Sequence, residues 1–154
     1  YSIIIYAIFI YWNKIQFTRK QKSNLEKYKN SSYDKENVQK HIDKLLLKIE
    51  KEKLYKDFNL SLPQLADSLS IPQHYLSLII NKNLQKNFSE FINDYRFNEA
   101  IRLLNSERYF KLTIQSIAYE SGFNSTSAFY SYFKKKTGIT PTQYRKELKN
   151  NPDL

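Results

Sequence analysis

One apolar signature occurs twice in this chain. Leu65-Ala66, then Ile71 five residues after the alanine, then Leu76 and Ile80, is echoed by Ile117-Ala118, Phe123 five after the alanine, then Phe129 and Phe133. The offset is 52 residues and rises to 53 after the turn. Each copy reads as two short helices with a turn of three to four residues between them. The small alanine lets the helices cross closely, and the apolar residue in the turn plugs the gap below. That is the layout of a helix-turn-helix. Two crossing helices bury little by themselves, so each copy needs a third helix. The segments 38–54 and 88–106 can supply it.

A second helix of this kind keeps its outer face free to enter a major groove roughly 12 Å wide. In the first copy it begins near Pro72 and exposes Gln73, His74, Ser77 and Asn81. In the second it begins near Asn124 and exposes Ser125, Thr126, Ser127, Tyr130, Ser131 and Lys134. These hydroxyls and amides suit base edges, whereas Lys82, Asn124, Lys134, Lys135, Lys136 and Arg145 suit phosphates. Between the copies, Phe88, Phe91, Ile92, Tyr95, Phe97, Ala100, Ile101 and Leu104 recur at helical spacing over about 18 residues, or roughly 27 Å. A rod of that length can hold two reading helices about one DNA turn, roughly 34 Å, apart.

Composition agrees with helices and narrows the chemistry. The 154 residues include only two glycines and four prolines, too little turn chemistry for a sandwich, a barrel or a phosphate-cradling loop. Period-2 alternation long enough for a strand is absent. Zero cysteine removes disulfides, thiolate zinc sites and cysteine nucleophiles. No metal-ligand cluster or G-x-S-x-G elbow occurs, and the carboxylates are scattered among lysines at ion-pair spacing, so an enzyme, a metal and a cofactor are not expected. His74 has His41 as its only histidine companion, which argues against a ligand role. The formal charge of +10 favours a polyanionic partner. Abundant Lys, Asn, Ile and Tyr would also follow from A+T-rich coding DNA, so placement of charge carries more weight than its total.

The first third is organised differently. Residues 1–12 read YSIIIYAIFIYW, uncharged and ending in Tyr11 and Trp12, with Lys14, Arg19, Lys20 and Lys22 just beyond. At about 1.5 Å per residue this run covers roughly 18 Å, short of a bilayer's roughly 30 Å core. It is expected to be the last part of a cut transmembrane helix, with the basic run on the cytoplasmic side against anionic lipid. A signal peptide would carry its charges before the apolar stretch. Lacking methionine and opening at Tyr1, the chain is expected to be a fragment of a longer protein. Residues 13–33 read as a basic juxtamembrane linker. From Asp34, a candidate cap, Val38, Ile42, Leu45, Leu46, Ile49 and Leu54 form an amphipathic stripe, so 34–57 is read as a connector helix.

Residues 60–148 resemble the DNA-binding domain of the AraC/XylS family of transcription regulators. The match rests on Ile117-Ala118, Gly122-Phe123, Ser127, Phe129, Phe133-Lys134, Gly138, Pro141 and Tyr144-Arg145, together with LSLPQLADSLSIPQHYLSLIIN and FSEFINDYRFNEAIRLL in the first half. The lead-in KYKNSSYDKENVQKHIDKLLLKIEKEKLYKDFNL resembles that of members whose sensor is a multi-helix membrane domain. The resemblance implies seven helices and two helix-turn-helix units joined by a long helix. Three positions depart from the family pattern. Ser131 stands where arginine is frequent, Leu78 where a polar residue is common, and Gln85 where glycine is frequent.

The sequence therefore predicts an all-α chain. It comprises the end of a transmembrane helix (1–12), a linker (13–33), a connector helix (34–57) and a first helix-turn-helix (58–87). A linker helix (88–107), a second helix-turn-helix with its closing helix (108–150) and a tail (151–154) follow. The expected function is sequence-specific DNA binding by the cytoplasmic output domain of a regulator in the bacterial inner membrane. Expected partners are double-stranded DNA, the membrane and an upstream sensor, with a second copy and RNA polymerase as further candidates. The alternative is a membrane-tethered helical scaffold that binds a protein partner, for which apolar anchors would be expected on the exposed faces.

Overall fold

A computed structural model describes residues 35–150. Seven α-helices and two short 3-10 turns are described, and no strand occurs among the described residues. The expected transmembrane end, the linker, the Asp34 cap and the tail lie outside them. The chain divides into two units, residues 1–42 and 43–154. Of the first, the described part is the opening of helix α1 (Lys35–Glu52), where His41 Nδ1 lies 2.7 Å from the Asn37 carbonyl.

The second unit begins with the rest of α1. Leu45 and Ile49, four apart on one face, are fully buried, while Leu47 is exposed. Leu54 does not continue this helix, as its spacing predicts. Lys53 turns into the left-handed region at φ 49°, and Leu54–Lys56 form a 3-10 turn that delivers Leu54 to the core from a new direction. Helix α2 (Leu62–Leu69) follows. Its start is set by Ser61, whose hydroxyl accepts from Gln64 N while the Gln64 side chain accepts from Ser61 N at 2.8 Å, with a proline in the first turn. Ser70 at φ 58° ends it, Pro72 leads into α3 (Gln73–Asn83), and Lys44 Nζ donates to the orphan Leu69 carbonyl at 2.9 Å.

Helix α4 (Phe88–Leu104), capped by Asn87, belongs to two cores. Its first half contributes Phe91 and Ile92 to a cluster with Leu45, Ile49, Tyr55, Leu65, Ala66, Leu69, Leu76 and Ile80. Its second half contributes Ala100, Leu103 and Leu104 to a cluster with Ile117, Ala118, Phe123, Phe129 and Phe133. The repeated apolar signature thus builds two equivalent cores, each closed by one half of the same helix. Burying each of the large side chains stabilises the fold by about 2–3 kcal/mol.

The second unit of the repeat comprises α5 (Ile114–Glu120), α6 (Thr126–Thr137) and the closing helix α7 (Pro141–Asn150). Thr113 and Ser125 cap the first two of these through their hydroxyls. The core is aromatic: Phe133 meets Phe97 at 5.3 Å, Phe129 at 5.5 Å and Tyr144 at 5.4 Å between ring centroids, at steep interplanar angles.

The two halves also join through backbone. The buried Arg96 of α4 donates Nε to the Tyr55 carbonyl at 2.8 Å and Nη2 to that of Asp57 at 2.9 Å. Lys56 pairs with the buried Glu99 at 2.8 Å, and Glu99 is gripped from its other side by Arg102. The turn of the second helix-turn-helix presses on this same place. A Cβ on Gly122 would lie 2.3 Å from the Tyr55 carbonyl oxygen, closer than any real contact.

Candidate nucleic-acid interface

Helices α3 and α6 occupy the second position of their units, and the core fixes which face each shows. In α3, Leu76, Ile79 and Ile80 are buried, so His74, Leu78 and Asn81 lie opposite the core, with Gln73 and Ser77 along its flank. Gln73, His74 and Asn81 are exposed and Ser77 is half-buried. Asn81 Nδ2 donates to the Ser77 hydroxyl at 3.2 Å, so the two act as a linked polar pair. Lys82 is exposed at the end of the same helix.

In α6, Phe129 and Phe133 point inward, leaving Ser127, Ser131 and Lys134 exposed on the far side. Two of the predicted reading residues have local structural work. The Ser125 hydroxyl accepts from Ala128 N at 3.2 Å as the helix cap, and the Tyr130 hydroxyl lies 2.8 Å from Thr142 Oγ1 on α7. Thr126 is half-buried in the first turn, and Asn124 is exposed just before it. The exposed hydroxyl stripe of α6 therefore rests mainly on Ser127 and Ser131. Leu78, a departure from the family pattern, is half-buried.

The cations divide into two kinds. Lys82 and Lys134 project with no ion pair among the described residues. Lys135 instead pairs with Glu90 of α4 at 2.9 Å, and Lys136 pairs with Asp94. Arg145 departs further from the expected phosphate role. Its Nη1 donates to the Leu112 carbonyl at 2.7 Å, its Nη2 is buried, and burial pulls its pKa below the ordinary value. A guanidinium so held ties α7 to the segment before α5.

The carboxylates of α4 were not singled out by sequence. Asp94 accepts from Lys86 at 2.7 Å, from the Tyr132 hydroxyl at 2.8 Å and from Lys136. Burial disfavours its charge, but the hydrogen bonds from Lys136, Lys86 and Tyr132 outweigh this and bring its pKa down to about 2. Tyr132 shifts the opposite way, raised by burial and by the facing Asp94. The available signal was the four-residue interval between Glu90 and Asp94, which puts both on one face of α4. Arg96, Gly122 and the 3-10 turn at Tyr55 had no comparable signal, because each depends on an approach across more than 35 residues of chain.

Among the described residues no helix is long and apolar enough to cross a membrane. Residues 1–12, which carry that expectation, are outside them.

A family model described as a helix-turn-helix domain matches residues 65–147. The Msm operon regulatory protein of Streptococcus mutans is 31% identical over 93 residues, covering 60% of this chain and 32% of its own length. The melibiose operon regulatory protein of Escherichia coli K12 is 32% identical over 90 residues, covering 58% and 29%. The chain spans about a third of the length of these operon regulatory proteins. Among solved structures, the C-terminal domain of the two-component response regulator yesN from Fusobacterium nucleatum is 32% identical with a TM-score of 0.57, covering 67% of this chain and 97% of that one. The DNA-binding domain of AdpA, crystallised in complex with a target DNA, has a TM-score of 0.62 and covers 73% and 96%; at 16% identity it shows the fold alone.

Proposed function

The chain belongs to the AraC-type helix-turn-helix family, and on that premise we propose that residues 60–148 read two adjacent major grooves of double-stranded DNA as the output end of a transcription regulator. The observation that carries this reading is the pair of second helices, α3 and α6. Each shows an outward stripe of amides or hydroxyls followed by an exposed lysine, above a core of matching design. Helix α4, at 17 residues about 25 Å long, spaces them on a scale that suits successive grooves. The AdpA domain, of the same fold, is a DNA-bound example.

In this mechanism Gln73, His74 and Asn81 meet base edges in one groove, and Ser127 and Ser131 in the next. Lys82 and Lys134 meet phosphates. An upstream sensor acts through α1, whose end feeds the 3-10 turn at Tyr55, beside α4 and the turn of the second helix-turn-helix. Residues 1–12 and the basic run from Lys14 to Lys22 favour a sensor in the inner membrane with this part on the cytoplasmic face. Recovery of the full-length protein in the soluble fraction would remove that part of the proposal. Protein partners in this reading are a second copy of the chain and RNA polymerase; sedimentation on bound DNA distinguishes one copy from two.

Selection from a random double-stranded library tests the readout. Ser127→Ala is expected to change which bases are recovered, while Lys134→Ala weakens all sequences about equally. A uniform loss with Ser127→Ala, with unchanged base preference, would show that Ser127 does not read bases.

A further inference from the structure

The two hydrophobic cores leave one angle open. Each core sets a reading helix against its own half of α4, but no buried apolar residue is shared between the clusters. Asp94 takes contacts both from the turn after α3 and from α6. Its Oδ2 takes Lys86, in the turn that leaves α3, at 2.7 Å. Its Oδ1 takes the Tyr132 hydroxyl at 2.8 Å and the Lys136 ammonium, both from α6. One turn earlier, Glu90 adds its side chain to Lys135 at 2.9 Å and its backbone carbonyl to Tyr132 at 3.3 Å.

These contacts differ from ordinary surface pairs. The Asp94 side chain is only 14% exposed, and charge-assisted bonds in such surroundings are about twice as strong as neutral ones. Tyr132 is also a stiff arm, held at 6.5 Å from Phe97 and 6.3 Å from Phe123 between ring centroids. The depressed pKa of Asp94 means that the clamp stays ionised at any physiological pH.

We infer that Asp94 is a positioning residue for two-site DNA reading: by drawing the exit of α3 and the inner face of α6 onto one carboxylate, it sets the spacing and angle between the reading helices. Lys135 and Lys136 then serve as struts of this clamp. The inference rests on the DNA-reading function proposed above and adds the element that determines half-site spacing.

The test uses the whole 154-residue chain and duplexes carrying the two half-elements recovered by selection from a random library. The measured quantity is the ratio of affinities at the preferred spacing and at a spacing about two base pairs longer. Changes in net charge or in phosphate contacts act on both duplexes alike and cancel. Asp94→Asn and Lys86→Gln are each expected to lower this ratio about tenfold, the scale of one lost charge-assisted bond. An unchanged ratio in the folded variants overturns the inference, because a merely structural loss weakens both spacings together. If Asp94→Asn does not fold, Lys86→Gln decides alone, since the Lys86 side chain is 42% exposed and its replacement leaves no buried hole. A wild-type chain that recovers no DNA, or no paired elements, fails earlier and points to the DNA-reading proposal itself.

Discussion

Gly122 and Gly138 share a positive φ, at 96° and 80°, but different surroundings. Gly138 caps α6 with nothing within 4 Å of where a Cβ would go, so Gly138→Ala is expected to cost only the backbone strain, about 1–2 kcal/mol. Gly122→Ala adds a Cβ at 2.3 Å from the Tyr55 carbonyl and 2.8 Å from Lys56 Cα, and should cost at least about 3 kcal/mol. Urea unfolding of both variants checks this, and equal losses would deny the close approach. Gln85 reverses the logic: it holds φ 54° where the family favours glycine, so Gln85→Gly should raise stability by roughly 0.5 kcal/mol. At this scale the sequence shows what a side chain can do, but not its partner. The lysines at 134–136 look alike in sequence, yet among the described residues Lys134 has no ion pair while the next two pair with carboxylates of α4. Arg145, expected at a phosphate, holds the Leu112 carbonyl, a partner the sequence does not show.

Among the elements, the two reading helices and their turns were readable because burial repeats with helical period on both sides of a small alanine. The end of α1 was not, because Leu54 fits the helical stripe and only the left-handed Lys53 shows that the chain has turned. What joins the elements is largely ionic and carries a pH signature. Asp94 and Glu99 are lowered from 3.8 and 4.5 to about 2, Glu99 chiefly by its hydrogen bonds from Arg102. Because both folded values are depressed, their contribution is complete above the ordinary carboxylate range and is lost as pH falls from about 4.5 through about 2. The Asp94 share is on the order of 2 kcal/mol. Urea midpoints should fall steeply over this interval in the wild type and less so in Asp94→Asn; parallel curves would mean that the carboxylate is not clamped. Arg96→Met leaves the buried Tyr55 carbonyl without its guanidinium donor and the Asp57 carbonyl with Leu60 N alone, and should cost about 1–3 kcal/mol in the same measurement.

For the whole molecule, the arrangement is two small cores on one shared helix, tied by a carboxylate clamp near the middle and by a backbone joint at Tyr55. The joint is where the chain arriving from α1 touches α4 through Arg96 and the second helix-turn-helix beside Gly122. Contact of the two outward stripes with DNA is tested by a titration of the chain with its selected duplex at two salt concentrations. Affinity is expected to be at least about tenfold weaker at roughly 200 mM than at roughly 50 mM salt, as release of counterions from several phosphates requires. An interaction that is absent, or that does not change with salt, would mean that the two stripes do not meet DNA.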